Sequence, residues 1–269
     1  MPTYIKQSSS LYSTMDDYYS FQQLSREVEE TELFKYRSYT AQFGHYLSRL
    51  IAGIFLLSIF IVLLLRWIPP PTTSFILQRQ YEARQNSQSL DIQYHWISDD
   101  EISPHLKMAA ISSEDQRFAN HWGLDVNSIQ KAINEHKQGA DLRGASTITQ
   151  QVAKNLFLWP SRSYLRKGVE AYLALTIELL WSKERILEVY LNIVEFGDGV
   201  YGAEAAAQRY FNKSAKQLSK WESAFMVTAL PAPKRYNLDN PSEYMLGRSA
   251  WVMRYMNYLG NDTYLEKLE

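Results

Sequence analysis

A run of sixteen uncharged residues, 50–65, bracketed by Arg49 and Arg66, constrains this chain more than any other feature. With Tyr46, Leu47, Trp67 and Ile68 added, the apolar stretch reaches the roughly 20 residues a helix needs to cross about 30 Å of hydrocarbon. Tyr46 and Trp67 fall where interfacial aromatic rings belong. Residues 46–68 are therefore predicted as one transmembrane helix, with a buried core helix as the competing reading. A cleaved signal peptide fits less well, because the run starts late and no small-residue cleavage pattern follows it. Pro69, Pro70 and Pro71 are expected to end the helix. Lys35, Arg37 and Arg49 slightly outnumber Arg66 and Arg79 across it, a bias that places the N-terminus inside.

Around this anchor the chain divides by composition. Residues 1–45 are rich in Tyr, Ser, Gln and Glu, with too little apolar content for a core, and read as a flexible cytoplasmic tail. Residues 69–98 read as a linker in which Leu90, Ile92, Tyr94 and Trp96 alternate like a half-buried strand. From residue 99 onward helical signals are continuous. Ser103 before Pro104 makes an N-cap with proline at the first helical position, Ser219 with Glu222 and Asn240 with Glu243 have capping-box spacing, and Pro231 closes the helix between them. Residues 99–269 are thus predicted as one mainly α domain. The formal charge of -1 offers no bulk field for nucleic acid, so any anion site must be local. Without cysteine the chain has no disulfide, thiol nucleophile or thiolate metal site, and its five histidines are scattered without ligand spacing.

Four blocks carry polar residues that an ordinary amphipathic helix does not need. In the first, Glu114 and Asp115 follow the apolar helix containing Leu106, Met108, Ala109, Ala110 and Ile111. The partial negative charge of a helix C-terminus disfavours a carboxylate there, which would make Glu114 a better base near neutral pH. On composition alone, a solvated Glu–Asp pair at a helix end is the commoner outcome. In the second block, Gly144 permits a turn, Ser146 or Thr147 can cap, Ile148, Val152 and Leu156 form a buried stripe, and Gln150 and Lys154 share another face. Such a loop-to-helix start with a lysine one turn on suits a phosphate, and equally a plain surface helix. The third block, 162–170, places Arg166 and Lys167 one turn before Glu170, either as a local ion pair or, with Lys154 and Arg162, as a cation cluster for a pyrophosphate. The fourth, 183–192, reads as a core-facing helix, and the small residues around Ala203 to Ala207 as a close-packed one.

In order, these blocks resemble the glycosyltransferase domain of the peptidoglycan polymerases, the family 51 glycosyltransferases. Glu114, Asp115, Phe118, His121 and Gly123 meet one motif of that family, and the segment from Gly144 to Asn155 meets a second in full. Arg166, Lys167 and Glu170 meet a third, and the segment from Lys183 to Asn192 a fourth. Arg248, Val252, Met253 and Met256 meet a looser fifth. Five long motifs in order are not chance. The resemblance covers roughly residues 99–256 and leaves too little chain after it for the transpeptidase domain of the bifunctional relatives, so a monofunctional enzyme is expected.

The resemblance implies a mainly α, two-lobed, lysozyme-like catalytic domain preceded by the transmembrane helix. It implies polymerisation of lipid II into β-1,4-linked glycan, with inversion at the anomeric carbon and release of undecaprenyl pyrophosphate. By matched position Glu114 is the catalytic base and Glu170 the second catalytic acid. Lys154, Arg162, Arg166 and Lys167 take the pyrophosphate, and Ser146, Thr147, Gln150 and Gln151 line the acceptor side; Arg117 and Asn155 join the substrate-binding set. No metal ligand and no required cofactor are implied, although a divalent cation, Mg or Mn, is compatible with a pyrophosphate. The expected partners are lipid II, the lipid-linked nascent glycan, the membrane, and cell-wall synthesis or division proteins. The expected place is the bacterial inner membrane with the catalytic domain in the periplasm. A lytic muramidase is the enzyme alternative, disfavoured by the cation cluster, and an inactive membrane-anchored scaffold is the non-enzyme one, disfavoured by the presence of both acids.

Overall fold

A computed structural model of the chain describes residues 26, 29, 42–86, 91–139, 146–161 and 163–268. The expectations for most of the N-terminal tail, and those for Leu90, Gly144 and Arg162, lie outside the described residues; residues 42–45, expected in the tail, belong to the apolar helix. The chain falls into two units, Met1–Phe60 and Ile61–Glu269. The apolar run forms one helix, α1 (Gln42–Leu65), long and apolar enough to cross a bilayer. It ends at Leu65, before the three prolines. Two side chains of the second unit satisfy the carbonyls left over at that end: Trp181 Nε1 donates to Val62 O at 2.8 Å, and Arg185 Nη2 donates to Leu65 O at 2.8 Å and Ile68 O at 3.2 Å.

The second unit is helical. α2 (Ser74–Gln85) precedes the short strand β1 (Gln93–Tyr94). α3 (Pro104–Glu114), α4 (Val126–Lys137), α5 (Ile148–Phe157), α6 (Tyr164–Leu180) and α7 (Lys183–Ile193) follow. Then come β2 (Glu195–Gly197), β3 (Val200–Tyr201), α8 (Ala203–Phe211), α9 (Lys220–Met226), α10 (Glu243–Leu259) and α11 (Asp262–Leu265). The sheet is small, with β3 between parallel β1 and antiparallel β2. One group of helices packs about α3 (α9, α10 and α11), another about α5 (α2 and α6), and α7 touches both α3 and α5.

Local chemistry explains most boundaries. Ser103 caps α3 with Pro104 at its first position, and the Ser219–Glu222 capping box opens α9, as expected. α10 begins later than its sequence signals indicate: the cap is Ser242, whose Oγ accepts from Met245 N, so Asn240 and Pro241 stay in the preceding loop. The stretch expected as a linker carries α2, seated on α5 by Ser74 Oγ donating to Leu158 O at 2.5 Å, and its strand shrinks to Gln93–Tyr94. Its polar composition hid a helix that buries only Ile76 and Ala83. On α6, Tyr164 and Leu165 are exposed, because the first turn of that helix lies beyond the core.

The core runs along α3, α5 and α7. Asn192, fully buried at the end of α7, accepts from Ile97 N at 2.9 Å and donates to Ile97 O at 3.0 Å, pinning the segment before α3. Gly202 has φ 88° with Asn192 O only 2.5 Å from where a β-carbon would stand, so the small residue permits β3 to meet α7. Replacing Asn192 by Leu should leave both Ile97 backbone groups buried and unpaired and cost about 2–4 kcal/mol. Urea unfolding of the variant measures this, and a midpoint equal to wild type would refute it.

Candidate active site

Glu114 is the last residue of α3, where its side chain is half-buried beneath the start of α5. Ser113 Oγ donates to Oε1 at 3.0 Å and Gln151 Nε2 donates to Oε2 at 3.1 Å. Burial, the largest influence, pushes the carboxyl above the ordinary glutamate range. The Gln151 and Ser113 bonds and the charge of Arg248 pull it back, while Asp115 adds to the rise. The direction agrees with the sequence reading, and loss of water is its first cause. Arg248 stands close because its Nη2 donates to Ser113 O at 3.2 Å, which fixes α10 against the end of α3.

Asp115 turns the other way and is consumed by structure. It is buried, accepts from Ile148 N at 3.0 Å at the start of α5, and faces His121 Nε2 at 2.9 Å. The α5 cap adds a second tie. Thr147 Oγ1 accepts from Gln150 N, Gln150 Oε1 accepts from Thr147 N, and the Thr147 hydroxyl donates to Gly123 O at 2.6 Å. Thr147 and Gln150, both expected on the acceptor side, are thus buried and committed to this cap. Glu178 of α6 accepts from Thr149 at 2.6 Å and from Lys183 at 2.7 Å, and Lys183 also donates to His121 O at 2.8 Å. These bonds hold α5, α6 and α7 in place behind the two acids.

α5 itself bears the site on one face. Ile148, Val152 and Leu156 are buried as expected, and Gln151, Lys154 and Asn155, at helical spacing, line a cavity of about 340 Å3. Lys154 is largely removed from water, which lowers its pKa below the usual lysine range. The charges of Glu170 and Glu114 act in the opposite sense. Among the described residues no carboxylate lies within salt-bridge distance of Lys154; its Nζ stands 5.5 Å from the centre of the Phe75 ring of α2. Glu170, 2% exposed, accepts from Arg166 Nη1 at 2.9 Å and from Lys167 Nζ, which also reaches the exposed Ser146 Oγ at 3.3 Å. The third motif is therefore a local ion cluster whose charges still reach Lys154. Arg117 is exposed and donates to Asp125 Oδ1 at 3.4 Å, the cap of α4.

The far wall of the cavity holds residues that the sequence did not single out: Glu195 and Tyr201 of the small sheet, and Lys234 and Arg235 after Pro231. Burial raises the Glu195 pKa, while the Gly199 N–H at 3.1 Å favours its ionised form. Glu195 lies three residues beyond the fourth motif and no periodicity marks it. The cavity lining joins Lys234, Arg235 and the half-buried Lys154 to the amides of Gln151 and Asn155, and Gln151 ties it to Glu114 by the bond to Oε2. Such a set suits deprotonation of a hydroxyl beside Gln151 and neutralisation of an anionic leaving group beside the cations.

The chain is similar to known proteins over most of its length. Residues 82–257 match the family model described as Transglycosylase. The chain is 50% identical over 211 residues to the biosynthetic peptidoglycan transglycosylase of Pseudomonas syringae pv. syringae (strain B728a), covering 78% of this chain and 89% of that protein. It is 46% identical over 223 residues to the protein of the same name from Stutzerimonas stutzeri (strain A1501), covering 83% and 92%. The mainly helical second unit is in keeping with the lysozyme-like fold of transglycosylase domains.

Proposed function

The chain belongs to the transglycosylase family, and from that membership and the geometry of the cleft we propose that it polymerises lipid II with Glu114 as catalytic base. It is a peptidoglycan glycosyltransferase of cell-wall synthesis. The 4-hydroxyl of the acceptor sugar gives its proton to Glu114 and its oxygen attacks the anomeric carbon of the lipid-linked donor. The bond from that carbon to the pyrophosphate breaks, undecaprenyl pyrophosphate leaves with the electron pair, and a β-1,4 bond forms with inversion.

One observation carries this reading: a single turn of α5 presents Gln151, bonded to Glu114, and then Lys154, whose charge is coupled to both Glu114 and Glu170. The base, carried by α3, is thereby tied through Gln151 to the helix that carries the leaving-group cation. Arg166, Lys167 and Arg162 add positive charge around the departing pyrophosphate, and Ser146, Gln151 and Asn155 bind the sugars. Glu170 orients the cations it bonds. A divalent Mg or Mn ion would enter with the pyrophosphate. Glu170 is already bonded to Arg166 and Lys167, so this cluster offers no free acidic ligand to a resident ion. Because the substrates are lipid-linked, α1 serves as the anchor that confines enzyme and substrate to the same membrane. The reading places that membrane as the bacterial inner membrane, with the catalytic unit on its periplasmic side.

The test is polymerisation by purified full-length protein supplied with lipid II, read as long glycan and released polyprenyl pyrophosphate. The activity should be bell-shaped in pH. Glu114 must be ionised to accept a proton, so activity rises with pH through a pKa above the ordinary glutamate range. Lys154 must be protonated, so activity falls through a pKa below the ordinary lysine range. Hydrolysis of preformed glycan without polymer formation from lipid II would favour the muramidase alternative.

A further inference from the structure

Tyr190 of α7 is a fully buried side chain of the core that ends in a polar group, and no step above uses it. Its hydroxyl donates to Gln151 Oε1 at 3.3 Å, and the other end of the same amide, Nε2, donates to Glu114 Oε2 at 3.1 Å. An amide side chain has a donor end and an acceptor end, and rotation by half a turn exchanges them. Burial, with the charges of Glu114 and Asp115, drives the Tyr190 pKa well above its usual value, so the phenol keeps its proton and offers a donor throughout the working pH range. The phenol oxygen can also accept from the amide, but its proton has no other acceptor among the described residues, so the orientation in which Gln151 presents its oxygen to α7 and its N–H to Glu114 is the favoured one.

We propose that Tyr190 is a positioning residue: it locks the Gln151 amide so that the catalytic base receives a hydrogen bond rather than facing a carbonyl oxygen. An N–H bond favours the ionised carboxylate, opposing the burial that disfavours it, whereas a carbonyl oxygen in its place would favour the protonated acid. Among the described residues, the charged groups acting on Glu114 include Asp115 at the end of α3, Lys154 on α5 and Arg248 on α10, and all three stay in place when the phenol is removed. Tyr190→Phe deletes the lock without altering the charge of the cleft.

This inference rests on Glu114 being the base. In full-length protein assayed with lipid II, Tyr190→Phe should move the acid limb of kcat/KM to higher pH by about half to one unit. Activity near pH 6 then falls on the order of three- to tenfold, recovering towards wild type on the alkaline side. Gln151→Met, which keeps the volume and removes the amide, should shift the limb in the same direction at least as far, and adding Tyr190→Phe to it should change nothing more. An acid limb for Tyr190→Phe that superimposes on wild type overturns the inference, as do effects of the two substitutions that simply add. If Tyr190→Phe does not fold, an unshifted limb for Gln151→Met has the same force. Glu114→Gln separates the two levels: retained activity defeats the base assignment itself, whereas an inactive Glu114→Gln beside an unshifted Tyr190→Phe defeats only the lock.

Discussion

Replacing Glu114 by Gln is expected to lower glycan polymerisation from lipid II by about 10²–10⁴-fold, the usual worth of a positioned base. The substitution keeps the size of the side chain and its place at the end of α3, and loses only the ability to take a proton. Substrate binding should change little, so the loss falls on kcat. Stability should move the other way. In the folded protein the Glu114 pKa lies above its unfolded value, so the native state holds the proton more tightly. Ionisation then penalises folding as pH rises through the unfolded pKa, and the penalty is complete above the folded one. Glu114→Gln removes that penalty. It should melt at the same or a higher temperature at neutral pH, with the difference vanishing below about pH 4, where both forms of the wild-type residue are protonated. Undiminished polymer yield from this variant would end the mechanism.

Lys154→Met is expected to lower kcat by about 10²–10³-fold, the scale seen when one charge-stabilising group is withdrawn from a reaction centre. Lys154 is kept from water without a salt-bridge partner among the described residues, and its pKa is lowered for that reason. Its charge therefore opposes folding at any pH at which it is protonated, and a methionine of similar length should leave the melting temperature unchanged or raise it. A residue that weakens the fold yet is required for turnover is there for the anion it meets. The outcome that contradicts this is a variant with wild-type turnover, or one whose lost activity is matched by lost folding.

Much of this was legible from neighbouring residues. Ser103–Pro104 marked the start of α3, Ser219 and Glu222 that of α9, and the stripe of Ile148, Val152 and Leu156 gave the buried face of α5, because caps and periodicity involve groups within one or two turns. Where two local signals competed, the reading missed: Asn240–Pro241 had the spacing for a cap, but Ser242 took the role, and α2 showed too little apolar pattern to be recognised. The site divided in the same way. Glu114, Lys154 and Glu170 stood out through the company they keep in order along the chain. Which amide serves the base did not, since Gln150 and Gln151 are adjacent and of the same type. Gln150 is spent in its own helix cap, and Gln151 reaches Glu114, thirty-seven residues earlier.

By itself, then, the sequence determined the long apolar helix, the helical class, the family and the candidate acids and cations, all of them properties of composition, period and motif order. Only the tertiary structure decided that burial raises the pKa of the Glu114 carboxyl, that Asp115 is tied to His121 and the start of α5, and that Glu195, Lys234 and Arg235 wall the cavity. It also decided that Tyr190 stands behind Gln151. The physical reason is that desolvation and hydrogen bonding act through space. Each of these outcomes depends on how side chains from separate helices exclude water from one another and share a donor or acceptor, and no spacing along a single helix encodes that.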